Sequence, residues 1–212
     1  MPQSRIRFVV LVAACASIAV PSRAHFKLDA PAATNEQNPG RVVLDAPCGD
    51  EGAVKTGALT PFTAGETIDV TITETITHPG HYRVAIATGS ASELPPDPVV
   101  TPGNGNLCGT AAIQDPPAFP VLADGALAHT SAFDGPQTLQ VELPDDLVCE
   151  RCTLQVIQFI GSHSAPCFHH HCAEIQVPEP GATAAALAAV AALAASVRSR
   201  SSARERDRRR GR

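Results

Sequence analysis

The stretch that most restricts the fold of this chain is the run over residues 66–77. Its side chains alternate: Ile68, Val70, Ile72 and Ile76 fall on one side, and Asp69, Thr71, Thr73 and Thr75 on the other. Alternation of β-branched with polar residues is typical of a strand with one face in a core and one in water. The pattern predicts a half-buried β-strand.

Other segments give the same kind of signal. Pro79-Gly80 predicts a tight turn into a second strand at 82–87, so residues 66–87 are predicted as a β-hairpin with His78 and His81 at its tip. Further strands are predicted at 41–44, 138–143, 152–160 and 173–177, whereas eight prolines make residues 89–136 loop-like. No stretch of residues 25–177 has a helical period. The predicted fold is all-β: an immunoglobulin/fibronectin-like antiparallel β-sandwich with long loops and disulfides.

Both ends of the chain have the composition of processing segments. Residues 1–24 combine a basic start, an apolar run over 8–20 and the small-residue motif Ser22-Arg23-Ala24, which predicts a secretory signal peptide cleaved after Ala24. Residues 178–212 begin with Pro178-Glu179-Pro180, continue with an apolar run that is short for a membrane span, and end in arginines. The domain to be folded is therefore predicted at 25–177.

The C-terminal pattern resembles the PEP-CTERM type of sorting signal. This resemblance implies recognition by a sorting transpeptidase, removal of the tail, and placement at the cell surface or release. The alternative is a permanent C-terminal membrane anchor.

Charge excludes one class of partner. Residues 25–180 contain five basic and nineteen acidic residues, a net charge of −14 with His neutral. The net charge of the whole chain is only −5, because eight arginines lie in its last 15 residues. Such an acidic domain should repel nucleic acid and anionic membrane surfaces. We expect a monomeric domain with no nucleic-acid partner.

Cysteine usage agrees with export. Cys15 leaves with the signal peptide, and six cysteines remain: Cys48, Cys108, Cys149, Cys152, Cys167 and Cys172. An even number in an exported domain predicts three disulfides, whose connectivity the sequence leaves open. The alternative for one pair is a metal site at Cys149-Glu150-Arg151-Cys152.

Cleavage after Ala24 would make His25 the first residue of the mature protein. His25 would then offer two nitrogens to one metal ion, its terminal amine and its ring Nδ1. A second histidine would complete a set of three nitrogens. Amine and imidazole nitrogens suit Cu²⁺, which stands at the top of the affinity order for such sites.

A predicted N-terminal histidine, together with Thr77-His78-Pro79-Gly80-His81-Tyr82-Arg83-Val84 after a long strand, resembles the lytic polysaccharide monooxygenases. The resemblance implies a β-sandwich with copper in a histidine brace. It also implies an external electron donor, O₂ or hydrogen peroxide as oxidant, and oxidative cleavage of glycosidic bonds in a polysaccharide. The second ligand by this resemblance is His78, which precedes the Pro-Gly step, with His81 as the alternative.

The late segment 168–175 departs from that family. Where the family places a Tyr or Phe at the axial side of copper, three residues before a cysteine, this chain has His169. His169 is therefore predicted as a further metal ligand, with Phe168 and His171 as the other candidates. The alternative is that residues 169–171 form a solvent-exposed polar cluster.

A nearby Gln or Glu is also implied. We predict Gln158 as a catalytic hydrogen-bonding partner of bound oxygen, with Gln155 and Glu174 as alternatives. His129 and His163 fall in predicted loops and carry no assigned role.

Three functions stay open at this point. The first is a secreted copper-dependent polysaccharide monooxygenase. The second is a non-catalytic periplasmic or surface protein that binds or delivers copper, favoured by the extra histidines and by the presence of no Trp and a single Tyr. The third is a disulfide-linked surface domain whose histidines have no function.

Overall fold

A computed structural model describes residues 25–37, 46–49 and 52–181. The predicted signal peptide, most of the predicted sorting tail and the candidate strand at 41–44 lie outside these residues. The described part contains a 3-10 helix at Ala91–Glu93 and these strands: β1 Phe26–Ala30, β2 Thr60–Pro61, β3 Thr67–Glu74, β4 Gly80–Ala87, β5 Val100–Gly103, β6 Asn106–Ala111, β7 Val121–His129, β8 Gln137–Glu142, β9 Cys149–Ile160 and β10 Phe168–Val177. It has no helix of the length and apolarity that crossing a membrane requires.

The strands form two sheets and a small ribbon. The smaller sheet has the order β1-β3-β8, the larger has β2-β10-β9-β4-β7, and β5 pairs only with β6. Every pairing is antiparallel except the two-residue contact between β2 and β10. The all-β antiparallel fold is confirmed.

Alternation along the strands creates the core between the sheets. On the smaller sheet the buried row of β3 is Ile68, Val70 and Ile72. It packs with the inner residues of the larger sheet, which include Tyr82, Val84, Ile86, Leu154, Val156, Ala173 and Ile175. Two facing apolar layers of this kind define a β-sandwich.

The predicted hairpin at 66–87 is wrong. β3 pairs with β1 and β8 in one sheet, whereas β4 pairs with β9 and β7 in the other. Alternation specifies which face of a strand is buried but not which strand lies beside it. The inner rows of β3 and β4 face each other across the core, so residues 75–79, including His78, form a crossover between the sheets.

Residues 89–136 contain strands that the prolines concealed. β5 and β6 form a ribbon, and β7 is the edge strand of the larger sheet beside β4. This region also covers the outer face of the larger sheet, where Arg83 Nη2 donates to the Pro96 carbonyl at 2.9 Å. β4 is consequently buried on both faces from His81 to Ala87.

The six cysteines are all paired. The disulfides are Cys48–Cys172, Cys108–Cys167 and Cys149–Cys152. The prediction of three disulfides is confirmed, and the alternative of a metal site at Cys149 and Cys152 is wrong because both sulfurs are bonded to each other.

The ends of several strands meet at one end of the sandwich. β1, β4 and β10 begin there, and β3 and β9 finish there. The packing is close: a Cβ added at Gly80 would lie 1.9 Å from the carbonyl oxygen of Phe159. Side chains placed just before or after these strands are therefore brought together although they are far apart in the sequence.

Candidate metal centre

Three histidine rings meet at this end of the sandwich. His25 immediately precedes β1, His78 lies in the β3–β4 crossover, and His169 is the second residue of β10. The ring centroid of His25 lies 4.7 Å from that of His78 and 3.9 Å from that of His169. Of the two histidines that the sequence left open as the second ligand, it is His78 whose ring lies beside His25.

The backbone of His25 is held by the crossover. Thr75 and Ile76 both donate their amide protons to the His25 carbonyl, at 2.9 and 3.3 Å. The next residue, Phe26, is fully buried, and its carbonyl oxygen lies 3.0 Å from His171 Nε2. The ring of His25 is thus positioned by the same segment that carries His78.

Burial keeps the ligand candidates unprotonated. The pKa of His78 is lowered by burial and, to a smaller extent, by His163. Burial, followed by the neighbouring His25, lowers the pKa of His169 to about 3. His78 Nε2 and His169 Nδ1 are both buried without a hydrogen-bond partner. Neutral imidazoles with uncommitted nitrogens are what a metal ion requires.

No three His, Cys, Asp or Glu side chains of residues 25–37, 46–49 and 52–181 are already arranged as a metal-binding set. The brace implied by the sequence does not require one, because its third nitrogen is a terminal amine rather than a side chain. Such a brace needs two neighbouring imidazoles, one of them from His25, and the rings of His25 and His78 form such a pair. Imidazole nitrogens such as those of His25 and His78 are donors that suit copper.

His81 lies on the opposite face of the larger sheet. Its ring centroid is 5.2 Å from that of Phe159. Burial lowers its pKa, an effect that Asp124 partly offsets. Alternation along β4 places His81 outward and Tyr82 inward, so the sheet itself separates His81 from the crossover.

The three consecutive histidines of β10 divide between the two faces. His169 and His171 point into the sandwich, whereas His170 points outward, with Nε2 2.8 Å from Asp97 Oδ1. All three are at most 2% exposed. The alternative of a solvent-exposed polar cluster is therefore wrong.

A buried carboxylate behind the rings was not predicted. The Glu74 side chain is 4% exposed, and its Oε1 accepts hydrogen bonds from Tyr82 Oη at 2.9 Å and Gln158 Nε2 at 2.7 Å. His129 Nε2 lies 2.9 Å from the same oxygen. Burial, followed by Glu74, strongly raises the pKa of Tyr82. Gln158 pairs with His169 across β9 and β10, so the network adjoins the histidine rings.

His129 contacts the network from the edge strand β7. Its Nδ1 lies 2.8 Å from the Leu127 carbonyl oxygen, and its Nε2 lies 2.9 Å from Glu74 Oε1.

The remaining candidates lie elsewhere. Gln155 Nε2 donates to the Pro47 carbonyl at 2.8 Å, beside the Cys48–Cys172 disulfide. Glu174 pairs with Arg151 on the outer face. Phe168 packs on Phe159, with ring centroids 5.6 Å apart.

His163 was left without a role but lies at the cluster. Its ring centroid is 5.0 Å from that of His78 and 6.3 Å from that of His25. One signal could have found it. Residues 161–167 join two consecutive predicted strands, so they had to lie at the end of the sheet where β10 begins.

The buried neutral His171 predicts acid sensitivity of the metal-free protein. Burial, partly offset by the hydrogen bond to Phe26, lowers the pKa of His171 to about 4. The unfolded chain binds this proton near the ordinary value of 6.5, so stability falls as pH drops from 6.5 toward 4. The loss should be about 3 kcal/mol for His171.

Denaturant unfolding of the metal-free protein at pH 7.5 and pH 4.5 measures this loss. In His171→Gln an amide can still donate to the Phe26 carbonyl but cannot titrate, and the difference between the two pH values should shrink by about 3 kcal/mol. Equal pH dependence in both proteins would contradict the prediction.

Comparisons with known proteins give little sequence similarity. No protein-family model matches the chain, and no curated protein matches it. Among solved structures the chain is similar to a lytic polysaccharide monooxygenase AA15 from Thermobia domestica in the Cu(I) state, with a TM-score of 0.40 and 16% identity over 64% of this chain and 77% of that one. At this TM-score the likeness supports no inference about the site.

Proposed function

We propose that the mature protein binds one copper ion between His25 and His78 and uses it to oxidise a polysaccharide. The observation that carries the proposal is the 4.7 Å separation of these two rings, which the crossover between the sheets creates. The third nitrogen would be the terminal amine of His25 after cleavage behind Ala24. Copper would supply one-electron chemistry with O₂ or hydrogen peroxide as oxidant and an external reductant as electron donor.

The chain's own residues would hold and shield the ion. The pKa of His78 is lowered, which keeps its imidazole available as a ligand near neutral pH. His169, the further ligand suggested by the sequence, packs edge-on against His25. Gln158 is fully buried and donates a hydrogen bond to Glu74. Its role would be to hold the Glu74 carboxylate in place beside the histidine rings.

Substrate contacts would come mainly from polar loops. The single tyrosine, Tyr82, is buried under the sheet and presents no ring to a sugar. Tyr82 therefore cannot stack on a sugar ring of the substrate.

Export is part of the proposal. Three disulfides in the described residues fit an oxidising compartment. We propose that residues 1–24 are removed on export. The tail at 178–212 would be handled by a sorting transpeptidase and leave the domain at the cell surface or free outside the cell.

The test is the product pattern of copper-loaded mature protein. Protein that begins at His25 should release oxidised oligosaccharides from one or more members of a broad glycan panel when a reductant is present. His78→Ala should release none. Absence of oxidised products from every glycan would contradict the enzymatic proposal.

The second candidate is a copper-binding or delivery protein. The observation that favours it is the number of imidazoles at the site, because His163 and His169 both lie near His25. Additional nitrogen ligands would hold copper while leaving fewer open positions for an oxidant. Tight copper binding without reductant-dependent formation of hydrogen peroxide would decide for this candidate.

A further inference from the structure

The connection between β9 and β10 brings a fourth imidazole to the candidate metal centre. His163 is the third residue of this connection, residues 161–167. Its ring centroid lies 5.0 Å from that of His78, at an interplanar angle of 78°, and 6.3 Å from that of His25. We infer that His163 is a further ligand of the metal held by His25 and His78, an inference that rests on the proposed function.

The ring separations match the span of one ion. A bond of about 2.0 Å from metal to imidazole nitrogen places a ring centroid about 3.2 Å from the ion, so centroids lie about 4.5 Å apart at right angles and about 6.4 Å apart on opposite sides. His25 and His78 at 4.7 Å, and His78 and His163 at 5.0 Å, approach the first value. His25 and His163 at 6.3 Å approach the second.

His169 fits this span less well. Its centroid lies 3.9 Å from that of His25, closer than the separation expected for two ligands of one ion at right angles. His163 is therefore better placed than His169 to supply a further nitrogen.

The tautomer of His163 leaves a suitable nitrogen. Its Nδ1 faces the carbonyl oxygen of Ser164 in a short hydrogen bond, and a carbonyl oxygen can only accept. Nδ1 therefore acts as the donor, which leaves Nε2 as the ring nitrogen whose lone pair can face a metal. That lone pair is the group that would bind the metal.

The connection is fastened on both sides of the ring. Cys108 donates its amide proton to the His163 carbonyl at 3.0 Å, and Ser162 donates to the Cys108 carbonyl at 2.7 Å. The same cysteine forms the Cys108–Cys167 disulfide. Gly161 donates to the Pro79 carbonyl at 2.6 Å, which ties the connection to the residue after His78.

This tethering has a consequence for binding. The three histidine side chains are not arranged as a ligand set among the described residues, so they would have to rotate to bind one ion. The backbone of His163, however, is already held beside the crossover by its hydrogen bonds. Order present before binding lowers the entropy that binding would otherwise lose. The Cys108–Cys167 disulfide would therefore act on metal affinity through the position of His163.

The experiment compares mature wild type, His163→Ala, His163→Asn and the control Ser164→Ala, each loaded with Cu²⁺. Electron spin-echo spectroscopy counts the coordinated imidazoles, and competition with a chelator gives the affinity. Both His163 variants should lose one imidazole from the spectrum and at least about tenfold in affinity. Ser164→Ala, which keeps the carbonyl that fixes the tautomer, should match wild type.

The outcomes separate the two proposals. Unchanged spectra and affinities in both His163 variants, with copper bound by all four proteins, would overturn this inference and leave the proposed function standing. Failure of mature wild type to bind copper would overturn both. Circular dichroism melting of each variant identifies a folding defect, and agreement of the Ala and Asn variants excludes an effect particular to either substitution.

Discussion

Protein that begins at Ala24 should bind Cu²⁺ at least about 100-fold more weakly than mature protein that begins at His25, a loss of about 3 kcal/mol in binding free energy. Retention of one residue converts the His25 nitrogen from an amine, whose lone pair can bind a metal, into an amide, whose lone pair is delocalised into the carbonyl group. It also moves the free amine to Ala24, one residue further from the His25 ring. His25 and His78 would then offer only two imidazole nitrogens. Chelator competition on the two proteins measures the difference.

The comparison needs a control for the effect of the extra residue itself. Lys27→Ala in protein that begins at His25 alters the same segment and leaves the amine intact, so its affinity should equal that of wild type. The affinity of His78→Ala for Cu²⁺ should be as low as that of the form that retains Ala24. Equal affinities with and without Ala24 would show that the amine is not a ligand.

Replacing Glu74 by alanine should lower the free energy of unfolding by about 3–5 kcal/mol. The carboxylate accepts hydrogen bonds from Tyr82 and Gln158 and lies 2.9 Å from His129 Nε2. All of these groups are buried, so removing Glu74 leaves several polar atoms without partners. Denaturant unfolding at pH 7.5 measures the loss.

Two variants on the same strand make the result specific. Asp69→Ala removes an exposed carboxylate of β3 and should change stability by less than about 0.5 kcal/mol. Glu74→Gln keeps one acceptor oxygen, so its free energy of unfolding should lie between those of wild type and Glu74→Ala. A loss for Glu74→Ala no larger than that for Asp69→Ala would contradict the network.

Much of the fold was predictable because alternation is a local property. The β-branched residues of β3 identified its buried face directly, and the strands at 82–87, 138–143, 152–160 and 173–177 were all confirmed. Strand neighbours were not predictable, because the sheet to which a strand belongs depends on packing far along the chain. The hairpin predicted at Pro79-Gly80 failed for this reason.

The site was predictable only where a residue type stood in a telling position. His25 follows a predicted cleavage motif, and His78 precedes the Pro-Gly step after a long strand. Glu74 shares the alternation phase of Ile72 and Ile76, so its inward direction could be inferred from the sequence. Its partners could not, because they lie on other strands and only tertiary packing brings them to the carboxylate. His163 was passed over because the loop composition hid its nearness to His78.

The hydrogen bonds that hold His25 and Phe26 would have a consequence for the proposed mature protein, in which these are the first two residues. Aminopeptidases draw the leading residues of their substrates into a narrow active site and need them detached from the body of the protein. Here two amides hold the His25 carbonyl, and Phe26 is locked beneath His171. In the proposed mature form, which would begin at His25, the first peptide bond would be sheltered from trimming, so the residue on which the proposed chelation depends would also be protected.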